Sequence, residues 1–132
     1  VNLFNEKNNG ETLLKLIDNK LIKSVHDVSL GGIITAVAKM CIKGKKGINI
    51  KKPKYLINEI EYLFAEDQGR YILEISKKDF KKVADMLNKN AVHFDELGTI
   101  NENELYINDK TKVTIDELST YNKSWLINYM SK

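Results

Sequence analysis

Apolar residues recur every three to four positions in several stretches of the chain, which is the spacing of the buried face of an α-helix. This period predicts helices over residues 10–22 and 30–43 and a short helix over residues 55–64. Residues 76–79, Ser-Lys-Lys-Asp, have the pattern of a capping box and open a further helix. The apolar positions expected to face the core on these helices are Leu13, Leu14, Ile17, Leu21, Ile33, Ile34, Val37, Met40, Cys41, Phe80, Val83, Ala84 and Leu87.

A period of two between apolar and polar positions predicts strands between the helices. The clearest strand is residues 71–75, in which Tyr71, Leu73 and Ile75 share one face. The first ten residues are polar and are expected to lead in from another segment. Other short strands are predicted over residues 23–28, 48–50, 91–100, 105–107 and 112–115.

The end of the chain has the pattern of one more helix. Thr114 and Glu117 have the spacing of a capping box. The apolar positions that follow are Leu118, Tyr121, Trp125 and Tyr129. Trp125 is expected to be a packing anchor. The order of helices and strands predicts an α+β fold, with helices packed on a mixed or antiparallel sheet, and the length predicts a single domain over residues 1–132.

Composition narrows the class of protein. No apolar run reaches the roughly 18–20 residues of a membrane helix and no secretory leader is visible, so we expect a cytoplasmic protein with no membrane partner. The single cysteine, Cys41, excludes an internal disulfide, and its helical spacing favours a buried thiol over a nucleophile. His26 and His93 lie far apart in the sequence, so no metal site is predicted.

The net charge of +3 comes from lysine, because Arg70 is the one arginine among 21 basic residues. The densest lysine cluster is Lys43, Lys45, Lys46, Lys51, Lys52 and Lys54. This cluster has no interleaved aromatic residues and no nucleic-acid motif, so a solvated loop is favoured over a nucleic-acid surface. We therefore expect no nucleic-acid partner.

The first stretch with chemical character is SVHDVSLGG. A short strand carries His26, Asp27 and Ser29 and then runs into Gly31 and Gly32 at the start of a helix. Glycines at such a turn allow positive φ and let backbone N–H groups approach a ligand, while the helix directs its positive end at the same point. Two interpretations are open: an anion site suited to phosphate, or a tight turn that lets helix and strand pack closely.

The second stretch is FAEDQGRY. Glu66, Gln68 and Arg70 alternate, so in an extended chain they point to one face and form a polar lining. The guanidinium of Arg70 offers two parallel donors to a carboxylate or a phosphate, which lysine does not. Two interpretations are again open: contact with a ligand, or an ion pair of Arg70 with Glu66 or Asp67 that orders the turn.

The two stretches together resemble a known family. KSVHDVSLGGIITAVAKM (residues 23–40) and LFAEDQGRYILEI (residues 63–75) are similar to the patterns SAHDVSDGGL…ALAEM and LFSESQGRF in the last domain of phosphoribosylformylglycinamidine synthase. The order and separation of the two motifs agree, and the resemblance extends over nearly the whole chain. Leu30 stands where many members have Asp, and Val25 stands where Ala is usual.

This resemblance implies the C-terminal domain of the aminoimidazole ribonucleotide synthetase-like superfamily, here as the last domain of a longer synthase chain. The family acts in de novo purine biosynthesis. It uses ATP to activate the formamide oxygen of formylglycinamide ribonucleotide, and ammonia from a glutaminase then displaces the phosphate to give the amidine. The implied cofactors of the full enzyme are ATP and Mg²⁺, bound mainly by an N-terminal domain, with no cofactor bound within this chain.

The resemblance also implies partners: the remaining domains of the synthase, a separate glutaminase subunit and a small accessory subunit. A separate glutaminase is favoured because the chain ends at Lys132 without a glutaminase segment. The chain lacks the ATP-binding motifs of the N-terminal domain, so we expect it to be inactive by itself. Two alternatives remain open: a non-catalytic binding or assembly module, and the C-terminal half of a related enzyme such as aminoimidazole ribonucleotide synthetase or selenophosphate synthetase.

The resemblance and the motifs together give a hypothesis for the site. The residues predicted to bind a phosphate or the substrate are Asp27, Ser29, Gly31 and Gly32, chiefly through N–H groups of the turn. The residues predicted to form a supporting polar lining are His26, Glu66, Gln68 and Arg70. His26 and Asp27 are expected to orient the turn, and Asp27 is an alternative helix cap. No catalytic residue and no metal ligand is predicted.

Overall fold

The computed structural model describes residues 2–51, 53, 55, 58–108 and 110–131. Its helices and strands in chain order are α1 (Leu3–Asp18), β1 (Ser24–Asp27), α2 (Gly32–Gly44), β2 (Gly47–Ile50), α3 (Glu59–Phe64), β3 (Tyr71–Glu74), α4 (Phe80–Lys89), β4 (Gly98–Asn101), β5 (Glu104–Ile107), β6 (Thr111–Thr114) and α5 (Ile115–Met130). They form two compact units, each with its own sheet. The assignment of residues 1–132 to a single domain stays a prediction.

The first unit consists of the residues up to Ala36 together with Leu63–Asp95. Its sheet is the antiparallel pair of β1 and β3. Helices α1 and α4 pack together, and their buried residues Leu16, Val83 and Leu87 form the core cluster. The partly buried apolar residues that pack against this cluster are Leu21, Ile22, Leu73, Ile75, Met86, Val92 and Phe94.

The second unit consists of Val37–Tyr62 and the residues from Glu96 onward. Its sheet has the strand order β4-β2-β5-β6. Strand β2 is antiparallel to β4 and parallel to β5, and β5 is antiparallel to β6. The apolar residues buried in this unit are Val37, Cys41, Ile50, Leu105 and Ile115. Helices on a mixed sheet confirm the α+β prediction.

The start of α1 differs from the prediction. Residues 3–10, which belong to the segment expected to lead in from elsewhere, form the first half of α1. The Asn2 side chain caps this helix by accepting a hydrogen bond from the Asn5 N–H. The helix buries Thr12 and Leu16, whereas Leu14 and Ile17 are exposed, contrary to prediction. It ends at Asp18 and not at residue 22, and the chain then turns through positive φ at Lys20.

Two further predictions are wrong in detail around α4. The predicted capping box does not form, because α4 begins only at Phe80 and its N-cap residue is Asp79, whose side chain makes no bond to the helix backbone. The Ser76 hydroxyl instead donates to the Asp79 carboxylate. The predicted strand over residues 91–100 is reduced to β4. Ala91 has φ +52°, which turns the chain, and Val92 and Phe94 pack on the core of the first unit without a strand partner.

The remaining elements agree with the sequence pattern, with bounds that differ by a few residues. The predicted helix over residues 55–64 is observed as α3, and Leu56 and Ile57 lie outside the described residues, as do Lys52 and Lys54 of the lysine cluster. Phe80 is exposed and not part of a buried stripe. Among the described residues, no helix combines the length and the apolar character that a membrane crossing requires.

Candidate functional site

The two polar motifs of the sequence lie side by side in the first unit. Asp27 at the end of β1 pairs with Tyr71 at the start of β3. Just beyond this pair, the Val28 N–H donates to the Arg70 carbonyl oxygen at 2.9 Å. The β1–β3 ladder therefore places the HDVSLGG turn directly against the AEDQGR loop.

A side chain of the loop reaches the glycine turn. The Gly31 N–H donates to Oε1 of Glu66 at 2.7 Å, and the Gly32 N–H donates to the Ser29 carbonyl oxygen at 3.0 Å. The N–H groups of both glycines are thus occupied by the protein itself, one of them by a carboxylate. A negatively charged oxygen at this position is consistent with the positive end of a helix.

The glycine pair is required by the shape of the turn. Gly31 has φ +82° and Gly32 has φ +68°, which is the left-handed region that residues with a Cβ rarely adopt. A Cβ at Gly32 would lie 2.5 Å from the Leu63 carbonyl oxygen and 2.7 Å from Cα of Phe64. The glycine at position 32 is therefore required by the close approach of α2 to the end of α3, whether or not a ligand binds, and the anion-site interpretation stays a prediction.

The turn and the loop border an open depression of about 320 Å³. The predicted site residues that line this depression are Asp27, Ser29, Glu66, Gln68 and Arg70. The residues that line it but were not predicted are Glu6, Val28, Leu30, Gly69 and Tyr71. Glu6 belongs to the part of α1 that has no apolar period, so no pattern in the sequence places it here.

Three predicted residues, His26, Gly31 and Gly32, are not among the residues that line the depression. His26 Nδ1 lies 2.6 Å from the backbone oxygen of Asp27, and because a carbonyl oxygen only accepts, Nδ1 carries the proton. Asp27 does not cap α2, because the helix begins only at Gly32.

Arg70 adopts the ion pair that was one of the two predicted alternatives. Its Nη1 lies 3.0 Å from Oδ2 of Asp67 and also donates to the Ala65 carbonyl oxygen at 3.5 Å. Helix α1 holds the same loop from the other side, since Asn9 Nδ2 donates to the Gly69 carbonyl oxygen at 3.0 Å. The loop is thus ordered by short contacts within itself and from α1.

The charge of the depression is mainly negative. Glu6, Asp27 and Glu66 contribute carboxylates, and Arg70 contributes one guanidinium that already pairs with Asp67. Within the part of the chain that the structure describes, no group of three or more acidic, histidine or cysteine side chains has a geometry that would hold a metal ion. The donors at this site are the Ser29 hydroxyl, the Gln68 amide, the guanidinium and backbone N–H groups.

A second polar cluster lies in the second unit, beside an open depression of about 370 Å³. Asn101 donates to the Asn49 side chain at 2.6 Å, and the Glu104 N–H donates back to Asn101 at 3.0 Å. The Tyr106 hydroxyl donates to Glu104, which lowers the pKa of that carboxyl and raises the pKa of Tyr106. These groups satisfy one another and brace the β2–β4–β5 junction.

Cys41 is buried on α2 within the second unit, as predicted. Burial raises the pKa of its thiol to about 11, because the thiolate is disfavoured away from water. The nucleophile interpretation is therefore not supported.

Comparison with known proteins gives the context of this site. The family described as AIR synthase related protein, C-terminal domain, matches residues 1–110, which include both motifs and the depression that they border. The chain belongs to this family. The predicted superfamily is thereby confirmed.

Within the family, the curated relatives that the chain matches include phosphoribosylformylglycinamidine synthase subunits PurL. The chain is 67% identical to the subunit of Pelagibacter ubique over 130 residues, 98% of this chain, and 35% identical to that of Bartonella henselae over 132 residues. In both cases the chain spans 18% of the length of the relative. The resemblance to the synthase is confirmed.

Solved structures of the Thermotoga maritima protein share the fold. The structure of PurL complexed with FGAR has a TM-score of 0.74 and that of PurLQS has 0.75. Sequence identities are 22% and 21%, and each match covers 86% of this chain and 21% of the other. The same protein is also known complexed with ATP, with a TM-score of 0.72 and 18% identity.

Proposed function

We propose that the chain is the C-terminal domain of a PurL-type subunit of phosphoribosylformylglycinamidine synthase. The observation that carries the proposal is the 67% identity with the Pelagibacter ubique subunit over nearly the whole chain. The whole enzyme converts formylglycinamide ribonucleotide to formylglycinamidine ribonucleotide with ATP and glutamine. This chain supplies one wall of a cleft that the rest of the subunit completes.

ATP supplies the phosphoryl group that activates the formamide oxygen when it is bound in the complete enzyme. The donors around the turn suit phosphate oxygens, whereas the described residues offer no carboxylate cluster for Mg²⁺. We propose, as the family resemblance implies, that ATP and Mg²⁺ bind mainly in the part of the subunit outside this chain. The complexes of the Thermotoga maritima protein with ATP and with FGAR support both ligands for the family.

Within this chain, the turn residues Asp27, Ser29, Gly31 and Gly32 bind a phosphate of the substrate or of the nucleotide. The Glu66 carboxylate now accepts the Gly31 N–H, so it marks where an anion oxygen fits. A phosphate displaces Glu66 from this N–H and gains the Ser29 hydroxyl as a second donor. The negative charge of the depression makes the binding of free phosphate weak.

The supporting lining has a positioning role. His26 fixes the end of β1 through the Asp27 carbonyl oxygen, and Arg70 fixes the loop through Asp67. Gln68 faces the depression and supplies a neutral donor and acceptor. None of these groups is proposed to transfer a proton in the reaction.

The proposed partners are the other domains of the subunit, a separate glutaminase and a small accessory subunit. The Thermotoga maritima assembly described as PurLQS supports such an arrangement, because it is a PurL assembly with two further subunits. The proposed location is the cytoplasm, and no nucleic acid is proposed as a partner.

A chimera tests the proposed function. This chain replaces the stretch that it matches in the Pelagibacter ubique subunit, and amidine formation is measured with ATP, substrate and ammonia. We expect activity within about tenfold of the parent subunit, since the two sequences are 67% identical and most surface substitutions have small effects. A soluble, folded chimera with no activity would contradict the proposal.

A titration with inorganic phosphate tests the site. Amide signals of Gly31 and Gly32 in the ¹⁵N-labelled chain are followed up to tens of millimolar phosphate. We expect weak saturable shifts at both glycines, and tighter binding in Glu66→Ala, which frees the Gly31 N–H and removes a negative charge. Glu66→Gln is the matched control, since it removes the charge but keeps an acceptor oxygen. Equal, unsaturable shifts in all three proteins would refute the site.

A further inference from the structure

Helix α5 carries a regular aromatic stripe that is exposed. Tyr121, Trp125 and Tyr129 recur at intervals of four residues, so they lie on one side of the helix. Their exposed fractions are 73%, 61% and 70%. The expectation that Trp125 is a packing anchor within this chain is therefore wrong.

We propose that this aromatic stripe docks against another part of the longer synthase subunit. The occupant is an apolar surface in the stretch that the relatives carry outside the part matched by this chain. The inference rests on the proposed function, because it takes the chain to be one domain of that subunit.

The composition of α5 is that of a helix with a buried face. Aromatic and apolar residues at helical spacing are typical of a helix that packs on another element, and three large aromatic rings together are costly to leave in water. After Glu117, the helix contains a single charged residue, Lys123. Depletion of charge is typical of the core of a permanent interface and not of a surface that meets solvent.

The PurL relatives carry a further stretch of chain that is long enough to cover the stripe. The family match ends at residue 110, before α5 begins, so the helix lies outside the part that is common to the family. The matches to the PurL subunits, by contrast, extend over 130 and 132 residues and include α5. These subunits are more than five times as long as the matched stretch, which provides a partner surface within the same chain.

Hydroxyl-radical footprinting of the chimera with the Pelagibacter ubique subunit tests the proposal. Mass spectrometry reads the oxidation of Tyr121, Trp125 and Tyr129 separately, and Ile127 on the opposite side of α5 is an internal reference. Each rate is divided by the intrinsic reactivity of its side chain, because tyrosine and tryptophan react with hydroxyl radicals faster than isoleucine does. We expect the corrected rate of the stripe residues to be about fivefold or more below that of Ile127, since the core of a permanent interface excludes water. Equal corrected rates for the stripe and for Ile127 would overturn the proposal.

A pair of triple variants provides the second measurement. The first triple variant removes the stripe and consists of Tyr121→Ser, Trp125→Ser and Tyr129→Ser. The second changes three residues on the opposite side of α5 and consists of Thr120→Ser, Lys123→Ser and Ile127→Ser. We expect only the first triple variant to lower the thermal unfolding temperature of the chimera by several degrees. Equal effects of the two triple variants would also overturn the proposal.

Further results distinguish which surface covers the stripe, and they distinguish a failure of the docking proposal from a failure of the proposed function. Protection that depends on protein concentration, or that requires an added subunit, would assign the stripe to a second chain and overturn the proposal. An active chimera with an exposed stripe would refute the docking alone. An inactive chimera with a protected stripe would support the docking and refute the proposed catalytic function.

Discussion

The turn at Gly31 and Gly32 combines a conformational requirement with a steric one. Both glycines have positive φ, and a side chain at Gly32 would collide with the backbone of Leu63 and Phe64. Backbone atoms do not move aside as a flexible side chain does. Gly32 therefore sets how closely α2 approaches the end of α3 before any ligand is considered. Gly31 donates to Glu66 just beyond this contact.

Replacement of Gly32 by alanine is expected to destabilise the first unit by roughly 2–4 kcal/mol, from left-handed strain and overpacking together. Urea unfolding of the chain followed by circular dichroism measures this change. Gly10→Ala is the control, because Gly10 lies within α1 and a Cβ there would meet no other part of the protein within 4 Å. That substitution is expected to stabilise the chain by about 0.5–1 kcal/mol. A Gly32→Ala protein as stable as the wild type would contradict the structure of the turn.

At the scale of elements, α5 shows a helix start that the sequence specifies completely. The Thr114 hydroxyl accepts the Glu117 N–H at 3.2 Å, and Glu117 Oε2 accepts from the Thr114 N–H at 3.0 Å and from its hydroxyl at 2.7 Å. The predicted capping box is therefore confirmed. The box near α4 fails although its spacing is similar, because α4 begins only at Phe80. The N-cap residue is therefore Asp79 and not Ser76, and the Asp79 side chain makes no bond to the helix backbone.

Because of the capping box of α5, the free energy of unfolding of the second unit depends on pH in the acid range. The hydroxyl of Thr114, and then its backbone N–H, lower the pKa of Glu117 in the folded chain. The stabilisation is complete above the ordinary carboxyl pKa of about 4.3 and is lost as the pH falls through the lowered value. We expect Glu117→Gln to reduce the acid-side slope of stability against pH.

Urea unfolding between about pH 2 and pH 7 measures this slope on both sides of the carboxyl pKa. Asp116→Asn is the matched control, because it removes one negative charge from the same helical turn without touching the cap. An acid-side slope that is the same in Glu117→Gln and in the wild type would rule out the capping contribution.

At the scale of the whole molecule, the proposed function makes this chain one wall of a site and not a complete one. The depression at the turn is open, and its one guanidinium is already paired with Asp67. The chain corresponds to 18% of the length of its curated relatives. The remaining walls and most of the ligand groups therefore have to come from the rest of a longer subunit.

The isolated chain is accordingly expected to form no amidine from formylglycinamide ribonucleotide, ATP and ammonia. The reason is that electrostatic stabilisation of a phosphoryl transfer needs groups on all sides of the reacting phosphate. Release of ADP and phosphate in a discontinuous assay measures the activity, with the chimera described above as the positive control. Turnover by the isolated chain, dependent on the substrate, would contradict this expectation.

The sequence by itself determined the features that depend on near neighbours. The strands β1 and β3, the cap of α5, the buried position of Cys41 and the glycine turn all follow from spacing within a few residues, because periodicity and hydrogen bonding along one element are local. The family was also predicted from the two motifs together, and the match over residues 1–110 confirms the family.

Only the tertiary structure decided which distant groups meet. Glu66 reaches Gly31 across 35 positions in sequence, and Glu6 enters the depression from a helix half that has no apolar pattern. The same holds for the exposure of Trp125, since a stripe at helical spacing shows that a face is apolar but not what covers it. Contacts of this kind depend on the path of the whole chain, which no local pattern contains.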